Sequence, residues 1–223
     1  MEDFIEVLQS CELFDGISEG DIRAMLHCLN GRTFAIERGS VIFQAESRAE
    51  NVGIVLEGAV QVVRDDFYGN RTIQAQALPG ELFGEAFACA GVQRLPVTVE
   101  GVKPGRVLVI GLRRIIETCS TACDFHSRMV MNLLRAVAAR NLQLNQKLEI
   151  TSQRTTREKL LTYLMVQARR ADSDSFVIPF DRQGLADYLC VERSALSAEI
   201  GRLRREGILE SERSRFTLLK REE

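Results

Sequence analysis

Apolar and polar positions follow three rhythms along the chain. Over residues 4–28 the apolar side chains recur at helical spacing: Phe4, Ile5 and Leu8, then Ile22, Met25 and Leu26. Ser18, ahead of Glu19 and Asp21, predicts the N-cap of the second of these helices. From Arg32 to about Leu112 the rhythm shortens. β-Rich runs at Thr33–Ile36, Val41–Phe43, Val52–Leu56, Ala59–Val63, Thr72–Leu78, Val97–Val99 and Val107–Ile110 alternate with turn residues. Those turns are Arg38-Gly39, Glu57-Gly58, Tyr68–Arg71, Pro79-Gly80 and Lys103-Pro104-Gly105. Seven or eight short strands at this spacing predict an antiparallel roll of jelly-roll type.

The third rhythm is helical again. No glycine occurs between Gly111 and Gly184. Met129, Leu133, Val137, Leu144 and Leu148, with Ala136 and Arg140 in the same stripe, predict one helix from about residue 120 to 149. At 1.5 Å per residue such a helix is ~40 Å long, more than a small domain needs. It can pack along the roll or zip against a second copy as a parallel dimer, and its length favours the dimer.

Thr155-Thr-Arg-Glu158 has the form of a capping box opening a further helix through Leu160, Leu161, Leu164 and Met165. A polar loop, Ala171–Ser175, leads to a short edge strand at Phe176–Phe180. Asp181 then caps a helix over residues 182–189, a tight turn follows, and a second helix over 193–206 stops at Gly207. The tail alternates like a hairpin with Arg213 and Arg215 near its turn. The fold class is therefore α+β. An antiparallel β-roll with N-terminal helices spans 1–118, a long dimerisation helix 119–151, and a winged helix-turn-helix 152–223.

In that last segment Leu185, Ala186 and Leu189 form one inner face, and Val191, Leu196, Ile200 and Leu203 the other. Ala186 is small enough for the two helices to cross closely. Arg193, Ser194, Ser197 and Ala198 point outward from the start of the second helix. An arginine fork beside short hydroxyls suits base edges in a major groove. Arg193, Ser194 and Ser197 are the base-edge candidates; Arg182, Gln183, Arg202 and Arg213 are the phosphate candidates. Binding through such cations falls steeply with salt.

Charge sharpens this division. The net charge of −2 conceals 14 basic against 12 acidic residues from Thr151 onward, with −4 on the rest. Forty-five per cent hydrophobic and 27% charged residues are ordinary for a globular protein. The acidic, amphipathic N-terminus is unlike a signal peptide, and no apolar run is long enough to cross a membrane, so a cytoplasmic location is expected. The six cysteines are scattered, which argues against a disulfide framework, and most have apolar neighbours among which a thiol packs as a small hydrophobe. Histidine occurs only at His27 and His126, outside the strand region, and no nucleophile–base or paired-carboxylate arrangement is evident, so an enzyme is not expected.

The roll, "PGELFGE", the long helix, "TTREKLLTYL" and "RQGLADYLCVERSALS" together resemble the Crp–Fnr family of transcription regulators over nearly the whole chain. The resemblance implies a cyclic-nucleotide-binding-type domain, a homodimer on a pseudo-palindromic duplex, a signal sensed in the roll, and RNA polymerase as a candidate partner. It places Arg182 and Gln183 on the DNA backbone, and Arg193, Ser194, Ser197 and Ala198 on the recognition face. Family members often carry Glu where Ser194 stands and Arg where Ala198 stands. Each lost base-reading group removes ~1–3 kcal/mol of discrimination, so the operator differs or DNA shape contributes more. The competing class is a ligand-binding module acting on a protein partner without DNA, against which the basic face argues.

The stretch from Pro79 to Gly101 holds the effector candidates Gly84, Glu85 and Arg94. In relatives that bind cyclic AMP, Gly-Glu holds the ribose and Arg followed by Ser or Thr holds the phosphate. Gly84-Glu85 matches and Arg94 matches one residue short, but Leu95-Pro96 supplies no hydroxyl. A small effector other than a cyclic nucleotide is the expectation, its identity left open with that of the operator and with activation or repression. Cys11 and Cys28 do not make an iron–sulfur cluster, and neither that cofactor nor haem is expected. Cys119, Cys123 and His126 share a helical face; packing is the expectation there and no metal is assigned.

Overall fold

The computed structural model describes residues 4–65, 68, 71–117 and 124–219. The chain divides into two compact units, Met1–Arg140 and Asn141–Glu223. The first opens with α1 (Ile5–Ser10), a 3-10 turn (Glu12–Phe14) and α2 (Glu19–Leu29). Ser18 caps α2 as expected, its hydroxyl accepting the Asp21 N–H at 3.3 Å. The strands are β1 (Arg32–Ile36), β2 (Val41–Phe43), β3 (Asn51–Asp65), β4 (Arg71–Ala77), β5 (Leu82–Phe83) and β6 (Thr98–Gly111). All pair antiparallel in the order β1-β6-β3-β4, with β2 on β6 and β5 on β3.

Two expected turns lie inside strands instead. Glu57-Gly58 sits within β3 and Lys103-Pro104-Gly105 within β6, so four expected short strands become two long ones. The β3–β6 register shifts around Glu57 and Ala59. Gly58 adopts φ 83°, and a Cβ there would stand 2.5 Å from the Pro104 carbonyl oxygen. A Cβ on Gly105 would stand 2.1 Å from the Glu57 oxygen. These glycines permit a β-bulge where the paired backbones press together, and bulges draw on the same residue types as turns.

Short helices α3 (Glu85–Cys89) and α4 (Leu112–Ile116) flank the sheet, and α5 (Asp124–Thr151) follows. One core joins Leu8, Phe14, Ile22 and Leu29 to Ile54 and Leu108; another, inside the roll, gathers Phe43, Val60, Phe83 and Val99. Met129 and Leu133 of α5 are buried in the first core, with Ala136 and Val137 packed against it. That corrects the expected apolar seam: its N-terminal half is spent within the chain's own unit. Met131, Leu134, Leu142, Leu144 and Leu148 of α5 are exposed.

The second unit contains α6 (Thr156–Ala171), β7 (Ser175–Val177), α7 (Arg182–Leu189), α8 (Arg193–Arg205), β8 (Leu209–Glu212) and β9 (Arg215–Leu218). The capping box at α6 is complete: Thr155 Oγ1 accepts from Glu158 N at 3.2 Å and Glu158 Oε2 from Thr155 N at 3.0 Å. The sheet order is β7-β9-β8, antiparallel throughout. Leu160, Leu164, Leu185, Leu189, Leu196, Leu203 and Phe216 fill the core between helices and sheet. Each such side chain contributes ~1.5–3 kcal/mol relative to exposure.

The cysteines depart from the packing expectation. Cys11 is buried, which pushes its thiol up to about 12, whereas Cys28, Cys89 and Cys190 are exposed. Cys190 ends α7 with φ 53°. Cys119 and Cys123 lie outside the described residues; His126 is buried. Among the described residues no metal-ligating cluster occurs and no helix is long and apolar enough to cross a membrane.

Candidate nucleic-acid interface and effector pocket

Helices α7 and α8 form the crossing pair that the sequence predicts. Leu185, Ala186, Leu189, Leu196, Ile200 and Leu203 are all buried, and Val191 in the turn packs against the same core. Asp181 caps α7, its Oδ1 accepting the Gly184 N–H at 2.7 Å. At α8 the N-cap is Glu192, whose side chain makes no capping bond. The first-turn N–H groups of α8 are therefore left for an external acceptor, at the positive end of the helix dipole. Arg193, Ser194, Ser197 and Ala198 surround that end and are all exposed. The three base-edge candidates thus share one open face.

The phosphate candidates differ in their surroundings. The Arg182 guanidinium lies 5.3 Å from the centre of the Phe216 ring on β9. Burial there, and secondarily the like charge of Arg204, lower its pKa below the usual arginine value. An anion approaching Arg182 and Arg204 would relieve that repulsion. Gln183 is exposed and donates to Asp187 Oδ1 at 2.8 Å. Arg213 occupies the β8–β9 turn, exposed, with φ 51°. The turn is anchored: Ser214 Oγ donates to the Phe180 carbonyl at 2.9 Å, and Ile178 N–H to the Ser214 carbonyl at 2.9 Å. Arg202 is paired with Glu199 at 3.1 Å.

Several residues here escaped sequence reasoning. Arg204 and Arg205 extend the basic end of α8, and the charge run "RLRRE" was the available signal. Glu199 sits in a helical position that is 93% shielded, with 7% exposure, yet carries a carboxylate. Arg157, 42 positions upstream, completes its surroundings at 3.6 Å. No local pattern connects those two.

The effector candidates are not assembled as a phosphate cradle. Gly84 takes φ 79° as N-cap of α3, and a Cβ there would meet the Phe43 ring at 2.8 Å. Glu85 is 3% exposed; one carboxylate oxygen pairs with Arg140 of α5, while Oε2 has no partner among the described residues. Arg94 has a different partner: its side chain is 73% exposed and reaches Glu46 at 3.5 Å. Leu95 is buried, its N–H already donated to the Ser47 carbonyl at 2.8 Å, and Pro96 has none. Those residues do not fit a cyclic phosphate. Arg140, expected only to fill a helical stripe, is the cation that the buried carboxylate uses.

Residues 33–122 match the cyclic nucleotide-binding domain family, and residues 158–223 the Crp-like helix-turn-helix domain family. Over 200 residues the chain is 26% identical to the nitrogen fixation regulation protein FixK of Azorhizobium caulinodans, covering 85% of this chain and 76% of that protein. Over 189 residues it is 23% identical to the transcriptional activator protein FnrA of Stutzerimonas stutzeri, covering 82% and 75%. The fold is similar to that of the c-di-GMP-responsive global regulator CLP of Xanthomonas campestris, with TM-score 0.55 and 14% identity over 92% of this chain and 100% of that one. With a cyclic-nucleotide-type roll followed by a Crp-like helix-turn-helix, the chain belongs to the Crp–Fnr family of DNA-binding transcription regulators.

Proposed function

We propose that the chain acts as a homodimer on a pseudo-palindromic operator, with one α8 in the major groove of each half-site. Arg193, Ser194 and Ser197 read base edges; Arg182, Gln183 and Arg213 hold flanking phosphates, and Arg202 belongs to the same phosphate-facing set although Glu199 shares its guanidinium. The observation that carries this reading is the uncapped, exposed start of α8 flanked by Arg193 and two serines. The exposed Met131, Leu134, Leu142 and Leu148 of α5 supply the apolar seam for the second copy. The working division is a sensor roll at 1–118, a dimerisation helix at 119–151 and the DNA-binding domain at 152–223. The protein works in the cytoplasm as a regulator rather than an enzyme, with RNA polymerase as its downstream partner.

The effector is a small molecule, not a cyclic nucleotide, bound beside Gly84 and Glu85. The unpartnered Glu85 Oε2 calls for a hydrogen-bond donor, an N–H or O–H, on that molecule. Arg94, exposed and paired with Glu46, is the third effector candidate. The test is selection of bound sequences from a randomised duplex pool at low salt. A two-fold symmetric motif is expected, with half-sites one helical turn apart. Failure to enrich any motif, with the protein folded and dimeric, overturns the reading.

A further inference from the structure

Three charged groups meet at the buried side of the recognition helix. Glu199 lies on α8 between Leu196, Ile200 and Leu203, all of them core residues. Its side chain is 9% exposed. Arg157, in the first turn of α6, approaches its Oε1 at 3.6 Å and bonds Glu206 at 2.7 Å. Arg202, one turn along α8, bonds its Oε2 at 3.1 Å. A carboxylate in that position costs desolvation that leucine would not incur, and the two guanidiniums offset part of it, with Oε1 left without a hydrogen bond among the described residues.

The two cations are not equivalent. Arg157 has a second carboxylate, Glu206, at shorter distance. Arg202 is 60% exposed and can swing toward solvent. A DNA phosphate near α8 would therefore compete with Glu199 for Arg202, while Arg157 keeps its place.

We infer that Glu199 is a positioning residue that withholds Arg202 from DNA phosphates and so restrains the electrostatic, sequence-independent part of binding. The inference rests on the proposed DNA-binding face. Its consequence is a regulator with weaker affinity for arbitrary DNA than its arginine content implies, and less of its binding lost to salt.

The experiment measures affinity of the full-length chain for a mixed-sequence duplex across a salt series. Each phosphate neutralised contributes about −0.9 to the slope of log affinity against log salt. Glu199→Gln, nearly the same shape, is expected to bind several-fold more tightly at low salt with a slope steeper by about one. Arg202→Ala on that background is expected to abolish the gain. In the native chain Arg202→Ala is expected to change the slope by clearly less than on the Glu199→Gln background. A purely structural role for Glu199 would alter the thermal midpoint and leave the slope alone. An unchanged slope in a folded Glu199→Gln protein overturns the inference, as does a gain that survives Arg202→Ala. Should Glu199→Gln not fold, a full unit of slope lost on Arg202→Ala in the native chain overturns it equally. No binding by the native chain even at low salt sinks the DNA-binding face itself and the inference with it.

Discussion

Arg140 of the long helix neutralises Glu85 at the head of α3, although the two lie 55 positions apart. The pair links the α3 corner of the roll to α5. Removing the arginine leaves a buried carboxylate without its cation. Arg140→Ala should cost about 1–3 kcal/mol in urea unfolding, toward the lower end because the Arg140 side chain is 46% exposed and solvent screens the pair. The double variant Glu85→Gln/Arg140→Met should lose less than Arg140→Ala alone, since no charge is then stranded. Equal losses in both would contradict the pairing.

On α5 the inward and outward leucines should behave differently. Leu134→Glu and Leu148→Glu place charges on the exposed stripe and should weaken dimerisation at least about a hundredfold, measured by sedimentation equilibrium. Leu133→Ala instead opens the first unit's core; it should cost ~2–5 kcal/mol of stability and leave the dimer intact. Dissociation by Leu133→Ala with Leu134→Glu still dimeric would reverse the assignment of faces.

On α8 and α7, specificity and affinity should separate. Arg193→Ala should relax preference at the contacted base by ~1–3 kcal/mol. Arg182→Ala should weaken every sequence alike and reduce the salt slope by about one. Competition binding with a selected site and its single-base variants checks both.

The bulge between β3 and β6 should reject a methyl group. Gly58→Ala forces alanine into φ 83° and within 2.5 Å of the Pro104 oxygen. The left-handed backbone alone costs of order 1–3 kcal/mol, and the clash adds to it. Gly91→Ala, at φ 64° with nothing within 4 Å, should meet only the strain. Thermal midpoints of the two variants should fall in that order.

Acid should act partly through Glu100. Its pKa is lowered, first by the Gln61 hydrogen bond at 2.6 Å and then by Arg71. A carboxylate with a depressed folded pKa contributes stability above its unfolded value, here 4.5, and loses it as pH falls through the folded value. Unfolding free energy should therefore decline below about pH 4.5, and Glu100→Gln should flatten that part of the decline.

Much of this was legible locally. Ser18, Thr155 with Glu158, and Asp181 announced helix starts correctly because a cap is a contact between residues two or three apart. The crossing pair at the C-terminus was legible because its inner positions repeat at helical spacing. Glu57-Gly58 and Lys103–Gly105 misled because a bulge and a turn ask for the same residues. On α5 the apolar side chains cover two faces, and only the tertiary fold assigns Met129 and Leu133 to the chain's own core. Glu85 with Arg140, and Glu199 with Arg157, join distant segments and leave no periodic trace.

Arg213 in the β8–β9 turn holds φ 51°, a conformation that suits glycine better than arginine by about 1 kcal/mol. Heat-resistance screening of a saturated library would therefore enrich glycine at this position, while, on the phosphate role proposed for Arg213, screening for operator occupancy would discard it. On that proposal thermal hardening and DNA binding pull against each other at one surface residue, and a stabilised variant chosen blindly would emerge sturdier and less able to grip its duplex.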